Sequence, residues 1–131
     1  MKTLALILAR AGSKGVPSKN TRMVGGRPCV EWTIDFAMAA RSPCRIAIST
    51  DSPDASRIAE RHGIEVIQRP PALATDTATV DDAARHALEW VRDPTITSIA
   101  ILYANVPVRP DGLLDRATAL MGSTGAHSVQ S

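Results

Sequence analysis

At 131 residues, with 44% hydrophobic and 21% charged content, the sequence has the size and make-up of one soluble globular domain able to bury a core. Its 3% aromatic content is too low for stacking along single-stranded nucleic acid, and a net charge of +2 is too small for a phosphate-backbone binder. No stretch approaches the ~18 apolar residues of a membrane span, so a soluble, cytoplasmic protein with neither nucleic acid nor membrane as partner is expected.

The amino terminus, "MKTLALILARAGSKG", is not read as a secretory leader, because its apolar run is short and its cations follow that run. Leu4 to Ala9 is continuously apolar, as expected of a parallel strand covered on both faces. A loop from Arg10 to Gly26 follows, carrying Arg10, Lys14 and Lys19 with no acid among them. Pro28 then suits a first helical turn, and "CVEWTIDFAMAA" places Val30, Ile34, Ala37 and Met38 at helical spacing. "RIAIST", Arg45 to Thr50, reads as a second strand. Ser52 as N-cap, Pro53 at the first helical position and Gly63 as stop enclose a second helix. "IEVIQ" is a third strand. After "RPPALATDT", Thr79 with Asp82 forms a capping-box-like start to a helix whose Ala83, Ala87, Leu88 and Val91 share one face. "SIAILYA" is a fourth strand, Pro110-Asp111 opens a last helix that Gly122 closes, and "AHSVQS" begins to look like another strand. Cys29 and Cys44 lack metal spacing and are expected to be reduced thiols.

Alternating strands and helices predict βαβ units around a parallel sheet, with ligands bound outside the carboxyl ends of the strands. The opening loop, "STDS" after the second strand and "YANVPVR" after the fourth all occupy such ends. In the first of these, Gly12, Ser13, Lys14 and Gly15 offer backbone amides and a cation, the two things a polyphosphate needs. The loop is neither a Walker loop nor a GxGxxG fingerprint. On composition alone it is equally well a solvated connection.

The spacing as a whole narrows the reading. "ARAGSKGVPSKN" resembles the R-x-G-S-K-G-x-P-x-K-N signature of the acylneuraminate (CMP-sialic acid synthetase-like) cytidylyltransferase family. "ISTDS", "RPPALATDTA", "HAL", "LYANVPVR" and "AHSVQS" are similar to further family motifs, in the same order. The resemblance covers essentially all 131 residues and is that of the family's N-terminal part. It implies a Rossmann-like three-layer α/β/α nucleotidyltransferase domain with a mostly parallel sheet, and transfer of CMP from CTP to a nonulosonic acid with release of pyrophosphate and Mg²⁺ assisting. By the same resemblance, Arg10 contacts the phosphates, Lys14 stabilises the leaving pyrophosphate, Lys19 assists, and Gly12, Ser13, Asn20 and Arg69 complete the nucleotide pocket. Tyr103, Asn105 and Arg109 stand where the family binds substrate.

Several residues carry a structural alternative. Asp51 is a metal ligand or a helix cap; Asp76 and Asp82 are helix-start acids; His62 and His86 are structural. The segment Tyr103 to Val106 departs from the family's "LQPTS", and Val80 stands where a serine is frequent, which opens a sugar acid other than the commonest sialic acid. Relatives continue past this length with an acidic metal pair, acceptor-binding segments and a dimerisation extension. Magnesium ligands are therefore expected beyond Ser131, in an assembly that is a homodimer. A catalytically inactive nucleotide-binding module of the same fold is the alternative reading.

Overall fold

The computed structural model describes residues 2–10, 21–41, 44–73, 79–106, 109–110 and 112–124. Strand β1 (Lys2–Ala9) is the sheet's centre, because it is the most continuously apolar segment and can be covered on both faces. Its Leu4, Ala5, Leu6, Ile7 and Ala9 are all solvent-free. A fully buried Leu or Ile side chain contributes roughly 1.5–3 kcal/mol. The strand pairs in parallel with β4 (Cys44–Thr50) on one side and β6 (Ile96–Tyr103) on the other, and β5 (Glu65–Gln68) adds to β4. The order is β5-β4-β1-β6.

Helices lie on both faces. Ala5, Ile7 and Ala9 point to the side of α1 (Cys29–Met38), α2 (Pro53–Arg61) and α4 (Leu113–Thr124), and pack with Val30, Ile34, Ala37, Ile58, Ala59 and Leu114. Leu4 and Leu6 point the other way, to Ala87 and Val91 of α3 (Val80–Val91), with Ala47 and Ile67 of the neighbouring strands. This alternation is the period of two along one strand, read from both sides. The result is the expected three-layer arrangement.

The predicted caps form. Ser52 Oγ accepts from the Ala55 amide at 3.2 Å with Pro53 at the first helical position, and Gly63 ends the turn with φ +72°. Thr79 and Asp82 make a reciprocal capping box, both bonds 3.1 Å long. The backbone bond to Thr79 leads among the contacts that hold the Asp82 carboxyl below its ordinary pKa.

Four expectations change. Met23–Val24 and Arg27–Pro28 form a short antiparallel hairpin, β2 and β3, so Pro28 lies in β3 just ahead of α1 rather than inside its first turn. Gly25 and Gly26 turn it with φ of +58° and +81°, the two positive values that a two-residue hairpin of this hand requires. Arg27 clamps the hairpin to α1, donating to Glu31 at 2.8 Å and 3.0 Å with its guanidinium 5.0 Å from the Trp32 ring centroid. Helix α4 starts at Leu113 and runs through Gly122 to Thr124, because an interior glycine weakens a helix by about 1 kcal/mol without ending it. Met38 and Leu88 are exposed on the outer sides of their helices, and partly buried Ala84 packs on the sheet where Leu88 was expected. Residues 125–131, including the expected strand "AHSVQS", lie outside the described residues.

Candidate functional site

The two edges of the sheet differ in character. At the amino-terminal edge, Lys2 Nζ donates to Asp93 Oδ2 at 2.8 Å, Arg45 Nη1 reaches the same oxygen at 3.4 Å, and Arg45 forks onto Glu65 at 2.6 Å and 2.7 Å. Hydrogen bonding to Glu65 leads in raising the Arg45 pKa, and the bond from Lys2 leads in holding the Asp93 carboxyl far below the usual carboxylate range. Cations and acids there satisfy one another.

The carboxyl-terminal edge carries the polar strand ends. Arg10 follows β1, Asp51 follows β4 and Arg69 follows β5, so three adjacent strands deliver them side by side. Arg69 is only 9% exposed. Its Nε donates to Ser49 Oγ at 3.1 Å and its Nη2 to the Ser49 carbonyl at 3.2 Å, and its own amide donates to the Thr50 carbonyl at 2.9 Å. Burial lowers the Arg69 pKa most; Asp51 opposes that shift and Arg10 adds to it. Both groups therefore act electrostatically on one guanidinium. Thr50, solvent-free, donates from Oγ1 to the Ala9 carbonyl and accepts from the Ser52 amide at 2.9 Å. It ties the base of the opening loop to the turn that carries Asp51. Helix α2 is capped by Ser52 Oγ, the residue expected to cap it alongside Asp51.

The second group lies at the end of β6. Tyr103 is paired with Leu8 in register and its ring is half-exposed. The Ala104 amide donates to the Leu8 carbonyl at 3.1 Å and opens a turn that carries Asn105. Arg109 points inward. Its Nη2 donates to the Tyr103 carbonyl at 2.7 Å, and its Nη1 donates to the Val106 carbonyl at 2.7 Å and to Thr33 Oγ1 at 3.1 Å. Its guanidinium carbon lies 5.3 Å from the Phe36 ring centroid.

Of the predicted site residues, Arg10 and Arg69 are brought together, and Tyr103, Asn105 and Arg109 gather beside them past β1. Gly12, Ser13, Lys14, Lys19 and Asn20 lie outside the described residues, as does Asp76. Three participants had no assigned role from sequence: Ser49, Thr50 and Thr33. Thr33 sits on the apolar stripe of α1 between Val30 and Ile34, and a hydroxyl on a buried stripe was the available signal. An open groove of about 680 Å³ between α2 and residues Thr21 and Pro28 shares no residue with this edge.

A family profile described as "Cytidylyltransferase" matches residues 4–100. An N-acylneuraminate cytidylyltransferase of Escherichia coli O18:K1:H7 is 36% identical over 108 residues, covering 82% of this chain and 25% of that protein. One from Streptococcus agalactiae serotype III is 33% identical over 133 residues, 100% of this chain and 32% of its own length. A CMP-N,N'-diacetyllegionaminic acid synthase of Legionella pneumophila is 34% identical over 132 residues, 98% of this chain and 57% of that one. The chain thus spans between a quarter and somewhat over half the length of these relatives. Among solved structures, a CMP:2-keto-3-deoxy-manno-octonic acid synthetase complexed with CTP superposes with a TM-score of 0.80 at 19% identity, over 96% of this chain and 49% of that one. That likeness shows the fold.

Proposed function

Because this chain belongs to the cytidylyltransferase family, we propose that it is the nucleotide-binding part of an enzyme that transfers CMP from CTP to a nonulosonic, sialic-type acid. The observation that carries this reading is the gathering of Arg10, Asp51 and Arg69 at the carboxyl ends of β1, β4 and β5. This is the edge at which open parallel sheets bind nucleotides. In the proposed reaction the acceptor's hydroxyl oxygen attacks the α-phosphorus of CTP. A P–O bond forms there, the α–β bridging bond breaks, pyrophosphate leaves with the bridging oxygen, and the hydroxyl proton is lost. The chain's part is to neutralise charge where it accumulates. Arg10 contacts the phosphates, Lys14 meets the leaving pyrophosphate, and Lys19 assists. Amides of Gly12 and Ser13 together with Asn20 line the pocket. Arg69, fixed on Ser49, forms its wall on the β5 side. Tyr103 and Asn105 face the acceptor.

The described residues do not on their own fit the magnesium ion that the family resemblance implies. No three His, Cys, Asp or Glu side chains stand together among them. A soluble cytoplasmic homodimer completes the proposal; none of the described helices is long and apolar enough to cross a membrane.

The Tyr103–Val106 segment offers fewer hydrogen-bonding side chains than the family's glutamine-to-serine version, Val106 offering none, which favours an acceptor that differs from the commonest sialic acid. The test is thermal stabilisation by nucleotides. A ligand that binds only the folded state raises stability by RT ln(1 + [L]/Kd), so CTP should shift the midpoint more than ATP or GTP at equal concentration. Equal shifts from all three sink the cytidine assignment.

A further inference from the structure

Arg109 invites the reading that it is one more cation for the triphosphate, yet its contacts run the other way. Of the three hydrogen bonds it makes among the described residues, two go to main-chain carbonyls of one turn, those of Tyr103 and Val106, and both are 2.7 Å long. The third goes to Thr33 Oγ1, whose side chain is solvent-free on α1 and which also lies 3.4 Å and 3.3 Å from the same two carbonyls. Phe36, one helical turn along α1, presents its ring to the guanidinium. One planar fork thus joins helix α1 to the turn after β6, across a chain separation of more than 70 residues. A lysine has no second prong for the second carbonyl.

What the turn presents is Tyr103 and Asn105. A turn without a hydrogen-bonded anchor samples several conformations. The Ala104–Leu8 bond secures the Tyr103 end to β1, while the Val106 end is held from the helix side. We propose that Arg109 is a positioning residue: it fixes the 103–106 turn against α1, so that Tyr103 and Asn105 are held in one orientation at the ligand edge, and it does not itself bind the nucleotide. This deepens the reading of that edge as the site and rests on it.

Tyr103 is the chain's sole tyrosine, which gives the test a unique reporter. The 131-residue chain is labelled with 3-fluorotyrosine, and Tyr103→Phe confirms the resonance assignment. Arg109→Ala should broaden, split or shift the fluorine signal, and Thr33→Val should do so to a smaller degree. CTP affinity of Arg109→Ala should stay within about threefold of the parent. An unchanged fluorine signal in the variants overturns the positioning role. So does a loss of CTP affinity of roughly tenfold or more, the size expected for a lost contact to a charged oxygen. Should Arg109→Ala fail to fold, Thr33→Val, which keeps the charge and the volume, decides by the same signal. The fluorine readout needs no ligand. A parent that binds no CTP therefore fails the cytidylyl reading, while the resonance still decides what Arg109 does.

Discussion

Arg69 grips Ser49 from the neighbouring strand by both side chain and main chain, with Nε 3.1 Å from the serine Oγ and Nη2 3.2 Å from its carbonyl. The guanidinium is thereby both a brace between β5 and β4 and a fixed charge beside Asp51 and Arg10. Arg69→Ala should destabilise the chain by about 1.5–3 kcal/mol, the range for hydrogen bonds to charged groups. Arg69→Lys should recover only part of this, because an ammonium cannot reproduce the fork. Urea unfolding measures it; an alanine variant as stable as the parent would show that the brace carries no load.

The opening loop makes a separate claim. Lys14→Ala should weaken CTP binding by about 1.5–3 kcal/mol, and Arg10→Lys should weaken it through loss of the planar contact with phosphate oxygens. Arg57→Ala is the control: it pairs with Asp54 on the exposed side of α2, where single ion pairs contribute about 0–1 kcal/mol. Calorimetric titration with CTP compares the three. Parent-like affinity in Lys14→Ala would reduce the loop to a solvated connection.

Acid should open the opposite edge. Asp93 is held low by Lys2 and by its bonds to Thr95, so its folded pKa lies below its unfolded value near 4. A depressed carboxylate contributes stability that is fully present above its unfolded pKa and is lost as pH falls through the folded one. Glu65, lowered first by its bond to Arg45, has the same sign. Thermal midpoints of the parent and Asp93→Asn should therefore differ most at neutral pH, begin to converge below about pH 4 and meet only as pH approaches the folded pKa, well below the carboxylate range. A gap that persists undiminished in acid would contradict this ion network.

The hairpin turn yields a paired comparison. Gly25 and Gly26 both have positive φ, but a Cβ at Gly25 would also stand 3.1 Å from Trp32 Cζ2, whereas one at Gly26 meets nothing within 4 Å. Alanine at either position costs roughly 1–2 kcal/mol for the left-handed backbone. Gly25→Ala should cost more, since Trp32 is also held by its indole bond to the Val24 carbonyl at 2.8 Å and has little room to retreat. Equal losses in chemical denaturation would mean that the indole moves aside freely.

Much of this was legible in the order of residues, because the signals are local. A continuous apolar run such as Leu4–Ala9 reads as a doubly covered strand, and Ser52 and Thr79 announce helix starts whose bonds close within three residues. The alternation of such elements sets the parallel sheet, and with it the edge where ligands bind. The opening loop's spacing carried the family.

What sequence left open depends on contacts between distant segments. That β1 is central, with β4 and β6 on its two sides, decides that Arg10 stands next to Asp51 and that Arg69 lies one strand further out. The Arg45–Asp93 contact joins residues 48 apart, which no local period encodes. Met38 and Leu88 fit their helical stripes by spacing, yet each helix's rotation against the sheet leaves them exposed. Arg109 shows the same limit for function. Its position beside a strand end is legible from sequence, but only the packing of α1 turns the guanidinium inward, because Thr33, Phe36 and two carbonyls together outcompete water for it.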